Sequence, residues 1–139
     1  MLIDIGANLT HESFKGDIKS VLTRAKDSNV EKIIVTGTSV HSSREAQQLT
    51  QKHDSLHSTA GIHPHYASET SETAIADLEK ILNLPQVVAV GETGLDFFRD
   101  YTAKKVQILS FEKHVELAIK FQLPMFLHER DAHEVFYDI

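Results

Sequence analysis

Three groupings of polar residues in this chain have the types and spacing to do chemistry. Gly91-Glu92-Thr93-Gly94-Leu95-Asp96 sets a carboxylate between glycines, with a second carboxylate four residues on. His63-Pro64-His65 holds two imidazoles on either side of a residue that fixes its own backbone and restricts its neighbour's. His128 opens a third run, His128-Glu129-Arg130-Asp131-Ala132-His133-Glu134. Carboxylate and imidazole together can chelate a divalent cation, and imidazole can also meet a phosphate. Each grouping has a plain structural alternative: a solvated loop glutamate for Glu92, a rigid polar turn for His63-Pro64-His65, and surface positions for His133 and Glu134.

The elements that must position these residues decide between the two. Val87-Val88-Ala89-Val90 is apolar without alternation, the pattern of a strand covered on both faces in a parallel sheet. It is expected to give way to loop at Glu92. Desolvating that carboxylate costs several kcal/mol unless a cation or hydrogen bonds compensate, which points to a cation partner. Further strands are expected at Leu2–Gly6, Lys32–Thr36, Leu56–Ile62 and Pro124–Leu127. Between them lie amphipathic helices. The first carries Ile18, Val21, Leu22 and Ala25; the second begins at a capping box formed by Ser42 and Glu45; the third buries Ile75, Leu78, Ile81 and Leu82; the fourth turns Ile108, Phe111, Val115, Ala118 and Ile119 inward. Asp131 is expected to cap a last helix. His41 and His53 fall at helix ends, and His114 reads as structural. Asn8, His63, His65, Glu92 and His128 thus all fall at strand carboxyl ends, the rim where β/α folds place their ligands.

Composition sets the outer bounds. The 139 residues, 41% hydrophobic, predict a single domain spanning 1–139 with a real core. The chain has no cysteine, which removes disulfides and thiolate metal sites. No apolar run is long enough to span a membrane and the N-terminus lacks a signal-peptide pattern, so a cytoplasmic protein with no membrane partner is expected. A net charge of −6 argues against a broad basic groove for nucleic acid, but a deep site with divalent metal can supply positive charge locally.

Asp4-Ile5-Gly6-Ala7-Asn8-Leu9-Thr10, Gly61-Ile62-His63-Pro64-His65, Gly91-Glu92-Thr93-Gly94-Leu95-Asp96 and His128-Glu129-Arg130-Asp131-Ala132 occur in order on successive strand ends. With these four motifs the chain resembles the TatD family of metal-dependent deoxyribonucleases over essentially its whole length. The resemblance implies a TIM barrel, a Mg²⁺-like divalent ion and hydrolysis of DNA phosphodiester bonds. It implies metal binding by Glu92, which is also the catalytic candidate, and by His128. His63 and His65 would lie near the scissile phosphate, with Arg130 as a phosphate contact and Asn8 at the substrate side. Gly6 and Asn8 stand where most of the family has His-x-His. A TIM barrel needs about 250 residues, so the expectation is a (β/α) repeat of about five strands and four and a half helices, the N-terminal half of the barrel. The later histidine and the water-activating aspartate of the second half would be absent, and activity of the 139 residues alone is in doubt. Unpaired sheet edges would then uncover Val35, Val88 and Phe126 or their neighbours. Two other readings remain open: a non-catalytic truncated remnant, and a complete flavodoxin-like binding module with strand order 2-1-3-4-5. Oligomeric state is not legible.

Overall fold

The apolar runs and amphipathic stretches fold as five successive β/α steps. The computed structural model describes residues 1–139, with β1 (Leu2–Ala7), α1 (Ile18–Asp27), β2 (Val30–Val35), α2 (Val40–Thr50), β3 (Leu56–Ala60), α3 (Glu72–Leu82), β4 (Val87–Asp96), α4 (Lys104–Phe121), β5 (Met125–Arg130) and α5 (His133–Asp138). All neighbouring strands pair in parallel, in the order β1-β2-β3-β4-β5. The sheet curls as part of a TIM-barrel-like wall. This order excludes the flavodoxin-like alternative, in which β1 would lie between β2 and β3. No helix is long and apolar enough to cross a membrane.

The core lies between the sheet and its helices. Leu9, Ile33, Val35, Ala46 and Leu56 form one cluster, with Ile18, Val21, Leu22 and Ala25 of α1 packed on it. Ala60, Ile62, Leu78, Ile81, Leu82, Val87, Val90, Leu117 and Ala118 form a second. Val35, expected to be uncovered, is fully buried under these helices. On the two edge strands the uncovered apolar residues are Leu2, Ile3 and Ile5 of β1 and Leu127 of β5, the last a neighbour of Phe126.

Several local expectations are corrected. The capping box of α2 is Ser39 with Ser42, each side chain meeting the other's backbone N–H, so the helix starts a turn before the Ser42–Glu45 position. In α4 the buried face is Gln107, Ser110, Phe111, His114, Leu117 and Ala118, while Ile119 is 73% exposed. The helical spacing is intact, but three of its inward residues are polar and hid the true face. Asp131 does not cap α5. It sits at φ +52, and the Ala132 N–H is taken by Glu129 Oε1 at 2.8 Å.

The largest correction concerns β4 and β5, which run through the site residues rather than ending before them. β4 continues to Asp96 because Gly91 (φ +134) and Gly94 (φ +140) occupy conformations that other residues avoid. A Cβ at either glycine would collide with β5 backbone, at the carbonyl of Phe126 or of His128. Backbone thus meets backbone where side chains would have ended the pairing.

Candidate metal centre

The register of β4 on β5 places the central residues. Gly91 pairs with Phe126 and Thr93 with Leu127, so Glu92 is the extra residue of a bulge; Gly94 then pairs with His128 and Asp96 with Arg130. A bulge re-aims a side chain, and Glu92 is held there by its own N–H, which donates to Gly37 O at 2.7 Å. His63 follows β3 and opens a 3-10 turn at Pro64–Glu69, where its Nδ1 accepts the His65 N–H at 3.2 Å.

Three side chains converge from these strands. Ligand atoms of His63, Glu92 and His128 all lie within 4.8 Å of one another. Glu92 Oε1 is 3.4 Å from His128 Nδ1 and 3.8 Å from His63 Nε2. The imidazoles of His63 and His65 meet edge to face, as do those of His63 and His128, with centroids 4.3 and 4.5 Å apart.

Behind them lies Asp96, fully buried. Its Oδ2 accepts from His65 Nε2 at 2.8 Å and from His128 Nε2 at 3.1 Å, and its Oδ1 accepts the Arg99 N–H at 2.8 Å. Burial pushes this carboxyl's pKa up, but the hydrogen bonds from Arg99, His65 and His128 outweigh it and bring the value down to about 2. Burial, followed by repulsion from His128 and His65 and partly opposed by Asp96, lowers His63 to about 4. At neutral pH the His63 ring is therefore neutral and has one lone pair.

Helix α4 fixes the frame from below. Gln107, fully buried, accepts the Asp96 N–H at 2.8 Å through Oε1, and its Nε2 donates to the carbonyls of Asp96 at 3.1 Å and Thr102 at 2.6 Å. Two turns on along the same face, His114 accepts the Ile62 N–H at 3.0 Å and donates from Nδ1 to Ser110 O at 2.7 Å. Its pKa is lowered by burial, the Ser110 carbonyl opposing.

The donor set fits a divalent ion. Two ligand atoms each about 2.1 Å from one ion lie about 3 to 3.5 Å apart at angles of roughly 90 to 110°. The Glu92–His128 separation meets this as it stands. His63 is different: its single lone pair already accepts the His65 N–H, which leaves Nε2 as a donor.

The structure thus brings together four of the residues expected from sequence: Glu92, His128, His63 and His65. Arg130 is at the rim, its guanidinium 3.9 Å from the Phe98 ring centroid. Asn8 lies past β1 with its Oδ1 accepting the Thr10 hydroxyl at 3.3 Å. Asp96 and Gln107 were missed. Phe98 and Tyr101 are 57% and 66% exposed, and the Tyr101 ring lies edge to face with His65 at 4.8 Å.

Comparison with known proteins agrees with this fold. The family of TatD related DNases matches residues 3–139. A 3'-5' ssDNA/RNA exonuclease TatD from Erwinia billingiae is 43% identical over 136 residues, covering 97% of this chain and 52% of that protein. The protein of the same name from Salmonella typhimurium is 39% identical over 135 residues, with the same coverage. Among solved structures, a hydrolase TatD family protein from Entamoeba histolytica superposes with a TM-score of 0.91 at 30% identity, covering 99% of this chain and 52% of that one. A TatD homolog from Escherichia coli K12 gives 0.90 at 31%, covering 97% and 53%. The chain spans about half the length of the curated relatives it matches.

Proposed function

The chain belongs to the family of TatD related DNases, and from that premise we propose that it is a metal-dependent nuclease site acting on phosphodiester bonds of DNA, with Glu92 and His128 holding a divalent ion. The observation that carries this reading is the 3.4 Å approach of Glu92 Oε1 to His128 Nδ1, on adjacent strands and with both side chains partly buried. When bound there, the ion supplies Lewis acidity, drawing charge from a phosphate oxygen and acidifying water. Mg²⁺ is the first ion to test, since it is bound by few protein ligands and completes its shell with water and phosphate.

The chain's own residues supply the surroundings. Glu92 brings the negative charge that makes the position favourable to a cation. His63, neutral and with its proton on Nε2, donates toward Glu92 or toward a phosphate oxygen lying against it. His65 is pinned by Asp96 through its Nε2–H, which leaves its Nδ1 as an acceptor. Arg130, 3.9 Å over the Phe98 ring, presents a planar fork suited to a phosphate. Phe98 and Tyr101 offer exposed faces on which unpaired bases can stack, worth about 1–3 kcal/mol per base.

A second reading is favoured by one specific observation. With Glu92 assigned to the ion and Asp96 engaged by three donors, the cluster holds no unengaged carboxylate to act as general base. On that reading the 139 residues bind ion and oligonucleotide without cleaving. The experiment is to incubate residues 1–139 with a labelled single-stranded oligonucleotide and Mg²⁺ or Mn²⁺, with a chelator control, and to measure binding and cleavage in parallel. Chelator-sensitive cleavage lost in E92Q supports the nuclease; chelator-sensitive binding without cleavage supports the second reading; neither one refutes both.

A further inference from the structure

We propose that Asp96 is a positioning residue that selects the histidine tautomer on which the metal site depends, keeping His128 protonated at Nε2 so that Nδ1 faces Glu92 with a free lone pair. The proposal rests on the reading that His128 Nδ1 is a ligand. Its ground is a count of donors and acceptors. An ionised carboxylate only accepts, so every nitrogen that meets Asp96 must bring a hydrogen. Its Oδ1 is taken by the Arg99 N–H at 2.8 Å, and its Oδ2 faces the Nε2 atoms of His65 and His128 at 2.8 and 3.1 Å. A neutral imidazole has one N–H, and the hydrogen placed at Nε2 leaves Nδ1 bare.

His128 lies between two carboxylates, and the alternative shows why this matters. Without Asp96, Glu92 at 3.4 Å would be the acceptor that draws the ring hydrogen to Nδ1. His128 and Glu92 would then close on each other as a hydrogen-bonded pair, and neither atom would be free for a cation. Asp96 prevents that collapse. A carboxylate behind a ligating histidine raises its basicity and fixes its ring in this same way in metal sites generally. The Asp96 backbone is held in turn by Gln107 of α4, which meets both its N–H and its carbonyl, at 2.8 and 3.1 Å. The same carboxylate oxygen orients His65, so one buried group sets the hydrogen positions of two of the three clustered rings.

The D96N variant separates this role from simple packing. If the Asn oxygen keeps the Arg99 N–H, its NH₂ group faces both imidazoles, and His128 Nε2 must then accept. The ring hydrogen moves to Nδ1 and the lone pair facing Glu92 disappears. If the amide turns over, two N–H donors face each other at Arg99. The test is long-range ¹H–¹⁵N correlation of the histidine rings in metal-free protein, above the imidazole titration range, with His128 signals identified by their loss in H128Q. The buried ring of His114, protonated at Nδ1 by its contact with Ser110 O, serves as a reporter that D96N has folded. The proposal expects His128 as the Nε2–H form in the unaltered chain and as the Nδ1–H form in D96N, with at least a tenfold loss of Mn²⁺ affinity by calorimetry. His128 found as the Nδ1–H form in the unaltered chain overturns it, whether or not D96N folds. So does a folded D96N that keeps the Nε2–H form and its Mn²⁺ affinity. If the tautomers behave as expected but the unaltered chain binds no Mn²⁺, the metal reading fails while the role of Asp96 in setting the hydrogen stands.

Discussion

His114 Nε2 accepts the backbone N–H of Ile62 at 3.0 Å, so a helix side chain holds the last residue before the His63-Pro64-His65 turn. Both partners are fully buried, and no water can replace either. H114L should leave the Ile62 N–H and the Ser110 carbonyl facing an apolar group, at a cost of about 1–3 kcal/mol for the stranded donor. Urea unfolding of H114L against the unaltered chain measures this, and an unchanged midpoint would contradict it.

Stability should fall on acidification in two stages. His63 titrates at about 4 in the folded chain against an ordinary 6.5, so the unfolded chain binds more protons between these values. Stability is fully present above about 6.5 and declines as pH falls toward 4. Asp96, brought from 3.8 to about 2, adds a second loss between those two values. Midpoints of denaturant unfolding across this range should show both declines. The H63Q variant should shrink the upper stage, leaving the part due to His114, whose pKa burial also lowers, and a flat profile from neutral pH to 4 would contradict the account.

The exposed rings of Phe98 and Tyr101 give a third expectation. F98A and Y101A should each weaken binding of a single-stranded oligonucleotide by about 1–3 kcal/mol, roughly five- to 150-fold, with little effect on ion affinity. F98A should cost more than stacking alone, since it also removes the surface on which Arg130 lies. Fluorescence anisotropy with ion present checks this. Equal affinity in all three chains would remove the aromatics from the substrate surface.

The β/α order was legible because strand and helix periods differ, and the apolar runs near residues 2, 32, 56, 87 and 124 each proved to be a strand. Glu92, His63 and His128 were legible for the same reason: each is the polar residue that follows such a run. What was not legible depended on backbone approach and on polar burial. The strand was expected to give way to loop at Glu92, whereas Gly91 and Gly94, by their close contact with β5, let β4 continue. Asp96 was seen only as a second carboxylate. Once the strand is known to run through it, Glu92 and Asp96 fall four residues apart along one element and share a face. Gln107 and His114 carried no signal in a hydrophobic pattern, because their burial is justified by backbone groups of β4 and of the segment after β3, partners that such a pattern does not show.

The central claim is that Glu92 and His128 together hold a divalent ion, and titration calorimetry of the metal-free chain with Mn²⁺ and Mg²⁺ tests it most directly. E92Q keeps the shape of the side chain and removes its charge, while H128Q removes the imidazole lone pair. The account predicts one ion bound per chain, with affinity lowered at least tenfold in each variant. Unaltered affinity in both, with the fold intact, would contradict it.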